Sequence, residues 1–218
     1  MPALLSSDVS DEALLALAAL SQRTGVPGEY LLEVFNSETN FKPLNPADFR
    51  GTRYYGPAAM MESLVKQVVD PAAFARMGLA ERIGYLDKMV KEQVKLNRGL
   101  IPNRAAVYYA LNFVPAAVYS AGGNPPDSTV LAPTGSQYWK DNPAFHPYAD
   151  SSGITIGTLG RVLSQKRMTN GRLIELLGRY KLLTSDLPLT VSKKSALGLI
   201  VGLGVLGGVG YYLFKKLA

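Results

Sequence analysis

The stretch Tyr30-Leu-Leu-Glu-Val-Phe-Asn-Ser-Glu-Thr-Asn-Phe41 decides the fold prediction, because it combines helical periodicity with an acidic residue in the apolar stripe. Leu31, Val34 and Phe35 are spaced so that a helix presents them on one face. Glu38 follows them by seven, four and three positions, and therefore belongs to the same face. The pattern predicts a helix whose core-facing stripe ends in a carboxylate.

The position of Glu38 suggests a chemical role. On this face the carboxylate would be desolvated and placed against the negative end of the helix dipole, and both effects favour its protonated form. A carboxyl group that is protonated near neutral pH can act as a general acid. Glu33, on the same helix, points elsewhere. The alternative is an ordinary carboxylate that frays into solvent with the last helical turn.

Further helices are predicted on both sides of this stretch by apolar periodicity and by start signals. Ser10 is a suitable N-cap for the first helix, and Pro57 stands at the first position of the third. The predicted helices cover 11–23, 28–38, 57–69, 79–97, 104–121 and 156–166. Between them, 39–56 and 122–135 are rich in Pro, Gly and Asn and are predicted as long irregular loops. The expected fold class is therefore mainly α.

The charge of the chain is concentrated at one end. The 218 residues carry a net charge of +6, which at first favours a nucleic-acid partner. Four lysines near the C-terminus supply +4 of it, namely Lys193, Lys194, Lys215 and Lys216. Residues 1–192 hold 19 basic and 17 acidic side chains. Because residues 1–192 are nearly neutral, they attract phosphate groups only weakly, and we expect no nucleic-acid partner.

Several site chemistries are excluded by composition. Cysteine is absent and His146 is the only histidine, which excludes thiol nucleophiles, disulfides and zinc sites built from Cys and His. The stretch Asp150-Ser-Ser-Gly153 suggests a calcium loop. With Gly153 at position 6 of an EF-hand, however, positions 1 and 12 are Tyr148 and Leu159, which cannot serve as the required ligands. We expect no metal and no cofactor, and interpret His146 as a loop histidine rather than a catalytic base.

The C-terminal region has the composition of a membrane span. Residues 196–214 contain only Ala, Leu, Gly, Ile, Val, Tyr and Phe, and as a helix they would be about 28 Å long, close to the roughly 30 Å of bilayer hydrocarbon. We predict a transmembrane helix there with a tail at 215–218, preceded by a linker at 184–195 and a domain at 1–183. We expect no cleavable signal peptide. The lysine pairs on both sides of the span give it no orientation.

Glycines within the predicted span form two small-xxx-small pairs, which let helices approach closely. The pairs are Gly198 with Gly202 and Gly204 with Gly208. They predict self-association in the bilayer. The alternatives are a single glycine-rich anchor or a helix buried inside an assembly. The glycine-rich helix also supports a third hypothesis for the whole protein, a pore-forming lysis protein.

Four segments carry a resemblance to a known family. Ser37-Glu38-Thr39-Asn40-Phe41 resembles the E-S-x-F motif of lytic transglycosylases and the related goose-type lysozymes. Tyr55-Gly56-Pro-Ala-Ala-Met-Met resembles their G-L-M-Q turn, and Val107-Tyr-Tyr-Ala-Leu-Asn-Phe-Val-Pro115 looks like the Tyr/Asn helix that faces their catalytic glutamate. The segment 142–159 is similar to the one that closes such domains in bacteriophage virion lysins. The resemblance spans about 10–167 and implies a lysozyme-like (transglycosylase SLT-like) helical domain.

The resemblance implies an activity. Glu38 would protonate the glycosidic oxygen and then deprotonate the sugar 6-hydroxyl, cutting the β-1,4 bond between N-acetylmuramic acid and N-acetylglucosamine in peptidoglycan glycan strands. Substrate contacts are implied for Thr39, Gly56, Tyr109 and Asn112. An ordinary glycosidase needs a second carboxylate. Asp48, on the following loop, is the candidate; the alternative is a turn-forming Asp after Pro46.

The anchor and the resemblance together imply a component of a bacteriophage virion. It would lie in an internal virion membrane or in the host envelope and open the cell wall locally during genome entry. The glutamine of the G-L-M-Q turn is missing, because Ala59 or Met60 stands near its place and Pro57 follows the glycine. The second hypothesis is therefore a catalytically inactive, lysozyme-like structural protein of the virion membrane, which binds glycan or neighbouring subunits without cutting.

Overall fold

The computed structural model describes residues 10–44, 47–49, 51–96, 104–122 and 124–166. These residues form a mainly α-helical fold with two small antiparallel sheets. The helices are α1 (Asp11–Thr24), α2 (Gly28–Thr39), α3 (Glu62–Val65), α4 (Pro71–Arg76), α5 (Leu79–Gly84), α6 (Asp87–Leu96), α7 (Ala105–Phe113), α8 (Pro115–Ala121), α9 (Gln137–Asp141) and α10 (Ile156–Lys166), with a 3₁₀ helix over Pro143–Tyr148. The strands are β1 (Ala47–Phe49), β2 (Thr52–Tyr55), β3 (Met60–Met61), β4 (Val130–Pro133) and β5 (Gly153–Thr155). The predicted mainly α fold class is confirmed.

The predictions for the C-terminal region fall outside these residues. The linker at 184–195, the span at 196–214 with its glycine pairs, and the tail at 215–218 all lie beyond the last described helix. Up to residue 166, every helix that the structure describes is too short or too polar to cross a bilayer.

Helix α2 lies at the centre of the fold, because α1, α7 and α10 all pack against it. Leu31, Val34 and Phe35 are fully buried, as their shared face predicts. Helices α1 and α10 were also predicted correctly. The Ser10 side chain caps α1 by accepting a hydrogen bond from the backbone N–H of Ala13 at 3.3 Å.

Of the predicted helix at 57–69, only Glu62–Val65 is helical. Residues 57–59 turn the chain so that Met60 and Met61 pair with Tyr55 and Tyr54 in the sheet. A helix can begin only after this pairing ends, and α3 accordingly starts at Glu62. The backbone pairing of β3 thus replaces the first helical turn that was predicted to begin at Pro57.

Two other predicted helices are each divided in two. The helix at 104–121 breaks at Val114, which adopts φ −139° and ψ 78° because a residue before proline is driven out of the helical region. The helix at 79–97 breaks between α5 and α6, where the N–H groups of Tyr85 and Leu86 bond three residues back. Helices α4 and α9 and the 3₁₀ helix were not predicted.

The loops predicted at 39–56 and 122–135 contain strands. In the first, β1 and β2 pair across Gly51, whose φ of +75° suits a tight turn. Asp48 therefore lies on β1, opposite Arg53, and its placement on a loop or turn is wrong. In the second, β4 pairs with β5.

Candidate functional site

Glu38 is a half-buried residue in the last turn of α2. The helix ends directly after it, because Asn40 adopts the left-handed conformation (φ 55°) and its N–H bonds the carbonyl oxygen of Asn36 at 2.9 Å. Phe41 then turns into the core and is 1% exposed. The carboxyl group therefore stands at the end of a helix that is held on three sides by other helices.

Tyr109, on α7, contacts Glu38 directly. The tyrosine is 7% exposed, and its hydroxyl hydrogen-bonds the Glu38 side chain. Burial, reinforced by the negative charge of Glu38, raises the pKa of the Tyr109 hydroxyl well above its ordinary value, while hydrogen bonding with Ser37 opposes this weakly. Because the hydroxyl keeps its proton, it donates to the carboxylate of Glu38.

Thr39 links the end of α2 to the turn before β3. Its buried hydroxyl lies 3.0 Å from the carbonyl oxygen of Pro57 and 3.2 Å from that of Phe35, and accepts from the N–H of Lys42 at 3.3 Å. Backbone groups thus occupy this hydroxyl. Thr39 acts beside Glu38 as a support for the turn that follows.

Gly56 lies where two backbone segments approach closely. Its N–H donates to the carbonyl oxygen of Leu44 at 3.2 Å, and the following peptide bond to Pro57 is cis. A β-carbon at this position would lie 2.5 Å from the carbonyl oxygen of Lys42 and 2.8 Å from the N–H nitrogen of Leu44. Only glycine therefore allows the turn to pack against the chain leaving α2.

A buried arginine fastens this region, and the sequence prediction missed it. Arg82, on α5, is 1% exposed. Its guanidinium donates to four carbonyl oxygens: those of Leu44 (2.8 Å), Ala75 (2.8 Å), Met77 (3.0 Å) and Gly56 (3.4 Å). A signal was present, because Arg82 stands three residues after Leu79 and four before Leu86 on an apolar helical face.

The other residues singled out in the sequence have different partners in the structure. Asn112, one turn further along α7, is exposed, and its side-chain oxygen accepts a hydrogen bond from Gln93 Nε2. Asp48 lies in the sheet. His146 stands on the 3₁₀ helix rather than a loop, with its ring stacked on that of Trp139.

Two depressions on the surface of the described residues are lined by residues other than Glu38. The larger, of about 510 Å³, is lined by residues of β2, β3 and α3, including Arg53 and Glu62. The smaller, of about 20 Å³, lies against Tyr85 and Met89. Glu38 lines neither of them.

The Glu38–Tyr109 pair is suited to proton transfer. A half-buried carboxyl can give up or accept a proton, and a tyrosine hydroxyl that stays protonated can orient it throughout. Thr39, Gly56 and Arg82 hold the backbone on one side of the pair, and α7 holds the other side.

Comparisons of this chain with protein-family models, with curated proteins and with solved structures find no match.

Proposed function

We propose that this protein cleaves the glycan strands of peptidoglycan through a lysozyme-like, transglycosylase-type domain in which Glu38 is the general acid and base. The observation that carries the proposal is the hydrogen bond from the buried Tyr109 hydroxyl to a half-buried carboxyl at the end of the central helix. The resemblance of the segments around Glu38, Gly56 and Tyr109 to lytic transglycosylases supplies the substrate class.

The reaction needs only one protein carboxyl group. Protonated Glu38 donates its proton to the glycosidic oxygen, the bond from that oxygen to C1 of N-acetylmuramic acid breaks, and the N-acetylglucosamine side leaves with a new hydroxyl. The substrate's own N-acetyl oxygen stabilises the positive charge at C1. The Glu38 carboxylate then takes the proton of the 6-hydroxyl, whose oxygen bonds to C1 and forms a 1,6-anhydro end. This restores the protonated acid.

Tyr109 orients the carboxyl group in both steps. Its hydroxyl donates to Glu38 when the carboxylate is ionised and keeps its own proton because its pKa is raised. A fixed carboxyl group loses less entropy on reaching the transition state than a freely rotating one.

The remaining parts of the proposal concern location. The apolar segment 196–214 anchors the enzyme in a bilayer, either an internal virion membrane or the host envelope, where it opens the cell wall locally. The composition of that segment and its flanking lysines support this part.

Replacement of Glu38 by glutamine tests the catalytic role. We expect the wild type to clear purified cell walls in a zymogram and Glu38→Gln to lose at least about 100-fold in rate, since the amide cannot transfer the proton. Glu33→Gln, on the same helix and also half-buried, is the matched control and should clear as the wild type does. Mass spectrometry of the products should find 1,6-anhydro ends. Equal clearing by wild type and Glu38→Gln would refute the role of Glu38.

The second candidate is a lysozyme-like structural protein of the virion membrane that binds glycan without cutting it. One observation favours it: Pro57 with Ala59 or Met60 stands where the resembled family has its glutamine-containing turn. In that case the wild type clears no cell wall and still sediments with insoluble peptidoglycan.

A further inference from the structure

A row of aromatic rings begins at Tyr109, the residue that hydrogen-bonds Glu38. The ring centroids of Tyr109 and Phe145 are 6.3 Å apart, those of Phe145 and Phe113 are 5.5 Å apart, and those of Phe113 and Tyr138 are 6.2 Å apart. The row joins α7 to the 3₁₀ helix and α9. It is therefore continuous with the proposed catalytic pair.

The row reaches the surface. Phe113, Tyr138 and Phe145 are half-buried, whereas Phe35 and Phe74 in the core are fully buried. The outer rings pack with one part against the core and leave another part accessible to solvent.

Two further rings stand beside the row. Trp139 and His146 stack with their centroids 3.9 Å apart and their planes 11° from parallel, and His146 Nε2 lies 2.9 Å from the carbonyl oxygen of Trp139. Both residues are half-buried. Within the part of the chain that the structure describes, neither Trp139 Nε1 nor the Tyr138 hydroxyl has a protein hydrogen-bond partner.

This combination matches the chemistry of a sugar chain. Pyranose rings have apolar C–H faces and a rim of hydroxyl and acetamido groups, so they bind aromatic faces that have free polar groups at their edges. None of the residues of the row is Asp, Glu, Lys, Arg or His, which suits a neutral saccharide rather than an anion. Continuity with Tyr109 would place such a chain next to Glu38.

We propose that these residues, which we call the aromatic shelf (Phe113, Tyr138, Trp139, Phe145 and His146), bind N-acetylglucosamine-containing sugar units next to the bond that Glu38 attacks. The identity of the sugar rests on the proposed function. The shelf itself needs no catalysis to be detected, because it predicts binding.

The only tryptophan of the chain reports on the shelf. Trp139 is the single source of tryptophan fluorescence, so a ligand on the shelf should change the emission. We would titrate the full chain, in detergent and carrying Glu38→Gln so that the ligand is not consumed, with the tetramer of N-acetylglucosamine. The expected result is a saturable change in emission.

A matched pair of variants locates the binding. In the same background, Tyr138→Ala should weaken binding about tenfold, which corresponds to the loss of one aromatic contact. Tyr138→Phe keeps the aromatic ring and should lose less binding affinity than Tyr138→Ala. Tyr119→Ala removes a tyrosine on α8 that is 44% exposed and belongs to none of these ring contacts, and should bind unchanged. Circular dichroism checks that each variant is folded.

The outcomes separate this proposal from the proposed function. Saturable binding that Tyr138→Ala weakens and Tyr119→Ala does not supports the shelf, whether or not the wild type clears cell walls. If the emission does not change, or if Tyr138→Ala and Tyr119→Ala bind with equal affinity, the proposal of an aromatic shelf is overturned. This holds even if Glu38→Gln abolishes cleavage.

Discussion

The two sides of Glu38 are built from different interactions. On one side, which we call the backbone-bonded side, Thr39, Gly56 and Arg82 act almost entirely on carbonyl and N–H groups of the main chain. On the other, Tyr109 leads into the aromatic shelf, where rings pack against rings. The first side depends on donors and acceptors meeting at fixed distances, whereas the second depends on contact area.

This difference predicts how each side responds to substitution. A hydrogen bond to a charged group contributes about 1.5–3 kcal/mol, and a buried polar group left without a partner costs about 1–3 kcal/mol. An aromatic pair contributes only about 0.5–1.5 kcal/mol beyond its buried area, and a neighbouring side chain can move into part of the space. The backbone-bonded side should therefore be the more sensitive of the two.

The largest effect is expected at Arg82. Arg82→Met removes every donor from four carbonyl oxygens, and we expect the free energy of unfolding to fall by about 4 kcal/mol. Urea denaturation followed by far-UV circular dichroism measures it. Arg82→Lys keeps the positive charge but lacks the planar guanidinium group. Its free energy of unfolding should therefore lie between those of the wild type and Arg82→Met. A loss below about 1 kcal/mol for Arg82→Met would show that the comparison is wrong.

The next effect is expected at Gly56. Gly56→Ala places a methyl group 2.5 Å from the carbonyl oxygen of Lys42, so one of the two backbone segments must move, at a cost of about 2–3 kcal/mol. The control is Gly84→Ala at the end of α5, where no atom lies within 4 Å of the new methyl group. That variant should be neutral or stabilised by up to about 1 kcal/mol. Similar losses for the two variants would contradict the close approach at Gly56.

The smallest effect is expected on the aromatic shelf. Phe113→Leu removes the two ring contacts to Tyr138 and Phe145 but keeps an apolar side chain, and should cost about 1 kcal/mol. Binding of the N-acetylglucosamine tetramer should weaken in the same variant. A stability loss as large as that of Gly56→Ala, measured by the same urea denaturation, would remove the distinction between the two sides.

The sequence predicted the parts of the fold whose signals are local. Helices α1, α2 and α10 have clear apolar periodicity, and α1 has a serine cap. The break at Val114 also has a local signal in Pro115, which the prediction of one helix over 104–121 overlooked. The three-stranded sheet has no such local signal. Its strands are only two to four residues long, so the alternation of apolar and polar residues is too short to be recognised.

The candidate site divides in the same way. Glu38 could be predicted from the periodicity of α2. Tyr109 was singled out only by resemblance, because it lies 71 positions after Glu38 and no local pattern connects the two residues. Arg82 was missed although it stands on an apolar helical face, because its partners are carbonyl oxygens of distant segments. Side-chain bonds to a backbone remote in sequence leave no pattern along the chain.

The position of α10 has a consequence for the order in which the domain is made. Helix α10 packs on both α2 and α7, the helices that carry Glu38 and Tyr109. A chain emerging from the ribosome exposes α2 early, but the helix that braces the pair arrives only after residue 156 has been synthesised. The Glu38–Tyr109 pair thus gains this support only after the other described helices have been made, so a truncated product that ends before α10 lacks it and, if the proposed function holds, should be inactive.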